Sequence, residues 1–82
     1  MVRSLHTPAY QIFRRLLVEV RERQGMTQVD LAKRLGRPQS FISKYEKGER
    51  RLDVIEFISI CDALGVEATV IFKSVVGAIS EH

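Results

Sequence analysis

Residues 27–48 read TQVDLAKRLGRPQSFISKYEKG, and no other stretch limits the fold of this chain as strongly. Thr27 and Asp30 stand at capping-box spacing, so a helix begins at Thr27. Leu31, Ala32 and Leu35 supply its inward stripe, and Met26 before the cap is placed to staple it. Gly36 then breaks the helix and permits the positive φ that a sharp corner needs. Pro38 fixes the entry to the next helix, over residues 38–47, which stops at Gly48. Ile42 and Tyr45, three apart, turn inward, while Gln39, Ser40, Ser43, Lys44 and Lys47 occupy the opposite face. The prediction is two short helices packed across a tight corner, the second presenting small polar and basic side chains to its surroundings.

The flanks read as support for that pair. Thr7 caps and Pro8 opens a first helix over residues 8–23, with Phe13, Leu17 and Val20 on the buried face and Leu16 beside them. Arg14, Arg15, Glu19, Glu22 and Arg23 take its wet side, and Gly25 ends it. Residues 1–6 show no periodicity and are expected to fray, with His6 a solvated tail residue. After the loop GERRL, Asp53 sits near the start of a fourth helix whose Val54, Phe57, Ile60, Cys61 and Leu64 form an inward stripe. Cys61 on that stripe reads as a small core thiol. The remainder, VEATVIFKSVVGAISEH, is rich in β-branched residues but lacks strict alternation. A lone strand would have no partner, and Ala68, Ile71, Phe72, Val75 and Ile79 suit one helix face, so a fifth helix is predicted over residues 68–79.

The expected fold is therefore all-α, a compact five-helix bundle forming one domain over residues 1–82. Ile55 and Ile58 on the fourth helix, with Ile71, Phe72, Val75 and Ile79 on the fifth, are more apolar surface than five helices easily hide. Extra core and a homodimer seam both account for it, and the seam is favoured because exposed apolar patches usually mark interfaces.

Composition narrows the function. No apolar run reaches the roughly 18 residues of a membrane span. The N-terminus lacks the apolar region and cleavage site of a secretory signal. One cysteine excludes an internal disulfide and a multi-cysteine zinc site, which points to a reducing cytoplasm. Neither a nucleophile–base arrangement, nor metal-ligand spacing, nor a phosphate-cradling loop is present, and His6 and His82 are terminal. An enzyme, a cofactor, a metal and a small-molecule substrate are accordingly not expected. Residues 33–51 hold seven basic residues against two acidic ones, a local charge of +5, whereas the rest of the chain carries −2. A solvated charged face would look the same, but the excess lies on the two-helix motif, which favours double-stranded DNA as partner.

Residues 26–66 closely resemble the phage-repressor-like (Cro/cI, XRE-type) helix-turn-helix family. The matching residues are Thr27-Gln28, Leu31-Ala32, Gly36, Ile42-Ser43, Glu46, Gly48 and the ALGV of Ala63 to Val66. The resemblance implies a bundle of four or five helices, including a helix-turn-helix, that binds operator DNA as a symmetric dimer. It makes Gln39 and Ser40 the leading base-reading residues, with Ser43 and Lys44 on the next turn. Gln28 matches a phosphate contact that steadies the first reading residue, and Arg21 with Glu46 a salt bridge between the first and recognition helices. Phe41 departs from the small polar residues usual at its position; it would contact a thymine methyl or cover the edge of the core. Arg37, Lys47, Arg50 and Arg51 flank the recognition helix and are better placed for phosphates than for bases. The expected function is a transcriptional regulator repressing from a pseudo-palindromic operator as a homodimer. The alternative is an antitoxin or restriction-modification controller that also engages a protein partner, although no partner-binding tail follows residue 79.

Overall fold

In the computed structural model, which describes residues 7–81, the chain forms α1 (Pro8–Arg23), α2 (Gln28–Leu35), α3 (Gln39–Glu46), α4 (Val54–Leu64) and α5 (Ala68–Ser80). No strand occurs among the described residues, and the ambiguous C-terminal stretch is helical. The fraying expected of residues 1–6, and the two histidines, lie outside the described range.

Side chains start three of these helices. Thr7 Oγ1 accepts the N–H of Tyr10 at 3.2 Å, with Pro8 in the first turn. At α2, Thr27 Oγ1 accepts from Asp30 N–H at 3.0 Å while Asp30 Oδ2 accepts from Thr27 N–H at 3.0 Å. α4 repeats the device: Asp53 Oδ1 accepts from Glu56 N–H at 2.7 Å and Glu56 Oε1 from Asp53 N–H at 3.0 Å. Each reciprocal pair satisfies two amides that a helix start otherwise leaves without partners. Between α2 and α3 the turn rests on Gly36, whose φ of +71° is left-handed. An L residue would be strained there by about 1–2 kcal/mol.

Leu17, Leu31, Ile42, Tyr45, Ile60 and Leu64 are completely buried, so α1 to α4 all meet in one core. α5 packs against α1 and α4 and contributes Ile71 and Val75. This corrects the dimer-seam expectation for those two residues, since both are buried within the chain. Phe72, one residue and about 100° beyond Ile71, turns outward, and Ile79, near the end of α5, is 36% exposed. Val54 is a second correction, since as the first residue of α4 it lies beyond the reach of the core and is 64% exposed. Tyr10, by contrast, joins the buried set; its ring packs edge-on against Phe13, and its hydroxyl accepts the N–H of Leu52 at 2.9 Å.

Cys61 is buried, and desolvation pushes its thiol up to about 11, which leaves it an inert core group. The Tyr45 hydroxyl is buried without a hydrogen-bond partner, and the same desolvation raises its pKa. An unpaired buried hydroxyl is destabilising, so Tyr45→Phe should stabilise the domain by about 1 kcal/mol. Thermal unfolding should show a midpoint higher by about 4–8 °C for a domain this size. A lower midpoint would mean that the hydroxyl is paired in solution.

Candidate nucleic-acid interface

The second helix of the motif, α3, is short, and its position depends on what grips its two ends. At its C-terminal end Glu46 is a buried hub, 7% exposed although acidic. Arg21 of α1 donates to both its oxygens, through Nε at 2.7 Å and Nη2 at 3.1 Å, and through Nη1 to the Met26 carbonyl at 2.8 Å. The pairing expected between Arg21 and Glu46 is thus present as a bidentate contact. Glu46 Oε1 also accepts from Gln28 Nε2 at 2.8 Å, and Gln28 Oε1 from Gln39 Nε2 at 3.3 Å.

Arg14, expected on the wet side of α1, is part of this arrangement. Its Nη1 donates to the backbone carbonyl of Glu46 at 2.6 Å, where the end of α3 leaves carbonyls without helical partners. The guanidinium also complements the negative end of the helix dipole. Gly48, just beyond, has φ +79°, and a Cβ built there would lie 3.0 Å from Arg14 Nε. Nothing in the spacing of α1 distinguishes Arg14 from Arg15 beside it. Only the register of α1 on α3 does.

With its C-terminal end held, α3 turns Gln39, Ser40 and Lys44 fully outward and Ser43 partly so. Lys47 closes the helix and is exposed, as are Arg37 before it and Arg51 after it. Gln28 is partly exposed and meets this face through its bond to Gln39. Phe41 takes the inward alternative: it is buried, edge-on to Tyr45, with Arg37 4.0 Å and Arg50 4.8 Å from its ring centroid.

Arg50 is less available than its sequence position implied. Its two terminal nitrogens donate to the Glu56 carboxylate at 3.0 and 2.8 Å, and Arg37 comes within 4.0 Å of the same group. The Arg50 guanidinium, and then the Asp53 N–H, hold the Glu56 carboxyl below its ordinary range. Arg50 therefore reaches a phosphate only by sharing or exchanging that carboxylate. The sequence did carry a sign of Glu56, since Asp53-x-x-Glu56 is a capping-box spacing like the one at Thr27. Arg51 stacks 5.3 Å from the Tyr10 ring centroid.

A separate apolar surface lies on α4 and α5. A groove of about 600 Å³ runs between them, lined by Val54, Phe57, Ile58, Val70 and Phe72 among others. Phe72, 57% exposed, stands within it, and Val76 and Ile79 extend the apolar strip along α5; Ile55, 67% exposed, instead lines a smaller cavity with Leu35, Arg37 and Phe41. No group of metal-ligating side chains occurs among the described residues, and none of their helices is long and apolar enough to cross a membrane.

Comparison with known proteins agrees with this geometry. The helix-turn-helix family model matches residues 17–71, which run from the middle of α1 into α5. An XRE-family like protein from Pseudomonas syringae pv. tomato str. DC3000 has a structure similar to this chain, with TM-score 0.84, 45% identity and 92% of each chain covered. The wild-type restriction-modification controller protein C.Esp1396I superposes with TM-score 0.85 at 26% identity, over 94% of this chain and all 100% of the other. The same controller solved as a tetramer with its natural 35 base-pair operator gives TM-score 0.81 at 25% identity, over 88% and 95% of the two chains. No curated protein matches. The match across most of the motif, its corner and its supporting helices, together with 45% identity to an XRE-family protein, places this chain in the XRE-type helix-turn-helix family.

Proposed function

We propose that this protein is a sequence-specific DNA-binding transcriptional regulator, a repressor acting as a homodimer on a pseudo-palindromic operator. The observation that carries the reading is the face of α3: Gln39, Ser40, Ser43 and Lys44 stand clear of the core on a helix whose C-terminal end is pinned by Arg14, Arg21 and Gln28. A helix held in this way enters the major groove as a rigid unit, which base readout requires. Gln28, Arg37, Lys47 and Arg51 surround it as phosphate contacts, with Arg50 held in reserve by Glu56. The occupant of the α4–α5 groove is a second copy of the chain. Two recognition helices about 34 Å apart would then face successive major grooves. The relative solved as a tetramer on its operator supports an assembly of this kind.

Selection of binding sites from randomised DNA, at stated salt, tests the proposal. Lys44→Ala should relax the preferred sequence. Lys47→Ala should instead weaken all sites alike and reduce the salt slope by about one unit. Failure to select any sequence at low salt would refute the function.

A second reading, a controller of a restriction-modification operon, is favoured by the end-to-end superposition on C.Esp1396I. The two readings share the DNA chemistry and differ in the promoter that the selected sequence lies upstream of.

A further inference from the structure

Four side chains form a single hydrogen-bonded file from the interior to the reading face: Arg21, Glu46, Gln28 and Gln39. Arg21 donates to Glu46 Oε2 at 2.7 Å and to Oε1 at 3.1 Å. Gln28 donates to that same Oε1 at 2.8 Å, and Gln39 donates to Gln28 Oε1 at 3.3 Å. The chemistry at the buried end dictates the direction of every later bond. A guanidinium only donates, and an ionised carboxylate only accepts. Gln28 must therefore turn its NH2 inward, which points its oxygen at Gln39. Gln39 must commit one N–H to that oxygen. Its own Oε1 and its second N–H remain outward, an acceptor beside a donor.

That edge complements adenine, which offers the N6 donor and the N7 acceptor in the major groove, whereas guanine offers two acceptors there. We propose that Glu46, which touches no base itself, sets the base preference at the position read by Gln39 by fixing the direction of both glutamine amides. The inference rests on the reading above, that α3 reads bases. Glu46 is in this sense a positioning residue.

The decisive variant is the paired change Arg21→Met with Glu46→Leu in the full chain, which removes the acceptor that directs Gln28 and leaves no buried charge behind. Gln28 can then present either its oxygen or its NH2 to Gln39. Gln39 in turn offers the DNA either an acceptor beside a donor or N–H groups only, so its preference for adenine over guanine is lost.

Site selection from randomised DNA reads the outcome directly, at the base pair identified by its response to Gln39→Ala. Wild type should prefer adenine there. The paired variant should lower the adenine-to-guanine ratio at that one position by about tenfold, leaving the other positions as they were. Gln28→Ala, which leaves the Arg21–Glu46 pair intact, should broaden the preference at the same position, in a protein of unchanged helicity. It decides the matter should the paired variant fail to fold. Full adenine preference in Gln28→Ala or in the folded paired variant overturns the proposal, as does a change spread evenly over the site or a wild-type preference for another base. A wild-type protein that selects no sequence refutes the proposed function instead, so the two failures are distinct.

Discussion

Arg21→Ala should lower the unfolding free energy by about 3 kcal/mol, because it leaves a carboxylate in the interior without its counter-ion. Glu46 is almost wholly buried and Arg21 nearly so, with side-chain exposures of 6% and 12%, so water cannot replace the guanidinium at either oxygen. Gln28 retains one hydrogen bond to Glu46, which softens the loss, but the Met26 carbonyl also loses its donor. Buried pairs contribute little over a well-packed apolar substitute; breaking one by removing a single partner is what carries a large penalty. The paired change Arg21→Met with Glu46→Leu should accordingly recover most of the lost stability, while still releasing Gln28. Urea unfolding of the two variants separates these effects. A loss below about 1 kcal/mol for Arg21→Ala would put the pair in the class of surface contacts and sink the argument.

Phe72→Glu should dissociate the proposed homodimer and weaken operator binding on the order of a hundredfold, the usual gain from joining two modules. Phe72 lines the α4–α5 groove with more than half its surface open, so the substitution disturbs no core packing within the chain. In the proposed dimer the introduced carboxylate would instead lie in an apolar seam with no partner, which a weak association does not survive. Light scattering reports the assembly and operator titration the affinity, with circular dichroism confirming that the five helices persist. Undiminished dimerisation would move the seam to another surface. Val75→Glu offers the contrast: this residue is buried inside the chain, so the same charge should unfold the protein rather than dissociate it.

That contrast also marks how far the sequence could be read. Helix starts were legible because Thr7, Thr27 and Asp53 act within three residues of their targets, and the corner at Gly36 because positive φ is a property of one residue. The outward face of α3 followed from periodicity alone. The sides of α5 did not: Ile71, Phe72, Val75 and Ile79 are all apolar, and hydrophobicity cannot separate a face turned to the core from one turned to a partner. Nor could it show that Arg14 and Arg15, chemically identical neighbours, differ in task. Only Arg14 meets the end of α3, thirty-two residues away in the chain. The Arg21–Glu46 pair and the steadying of Gln39 by Gln28 were legible through family resemblance; the bond from Gln28 to Glu46 that joins them was not. The contact between Arg50 and Glu56, six residues on and across a loop, was hidden for the same reason.

The bond from the Leu52 amide to the Tyr10 hydroxyl has a consequence for hydrogen exchange. Loop amides ordinarily trade their protons with water quickly, because small local openings expose them. Leu52 lies outside any helix, yet its N–H is buried and held by a side chain forty-two residues distant, on α1. Its proton can leave only when α1 and that loop part, an event close to complete unfolding. Leu52 should therefore be protected about as long as the amides in the middle of α1, and Tyr10→Phe should abolish that protection while the neighbouring loop amides exchange as before.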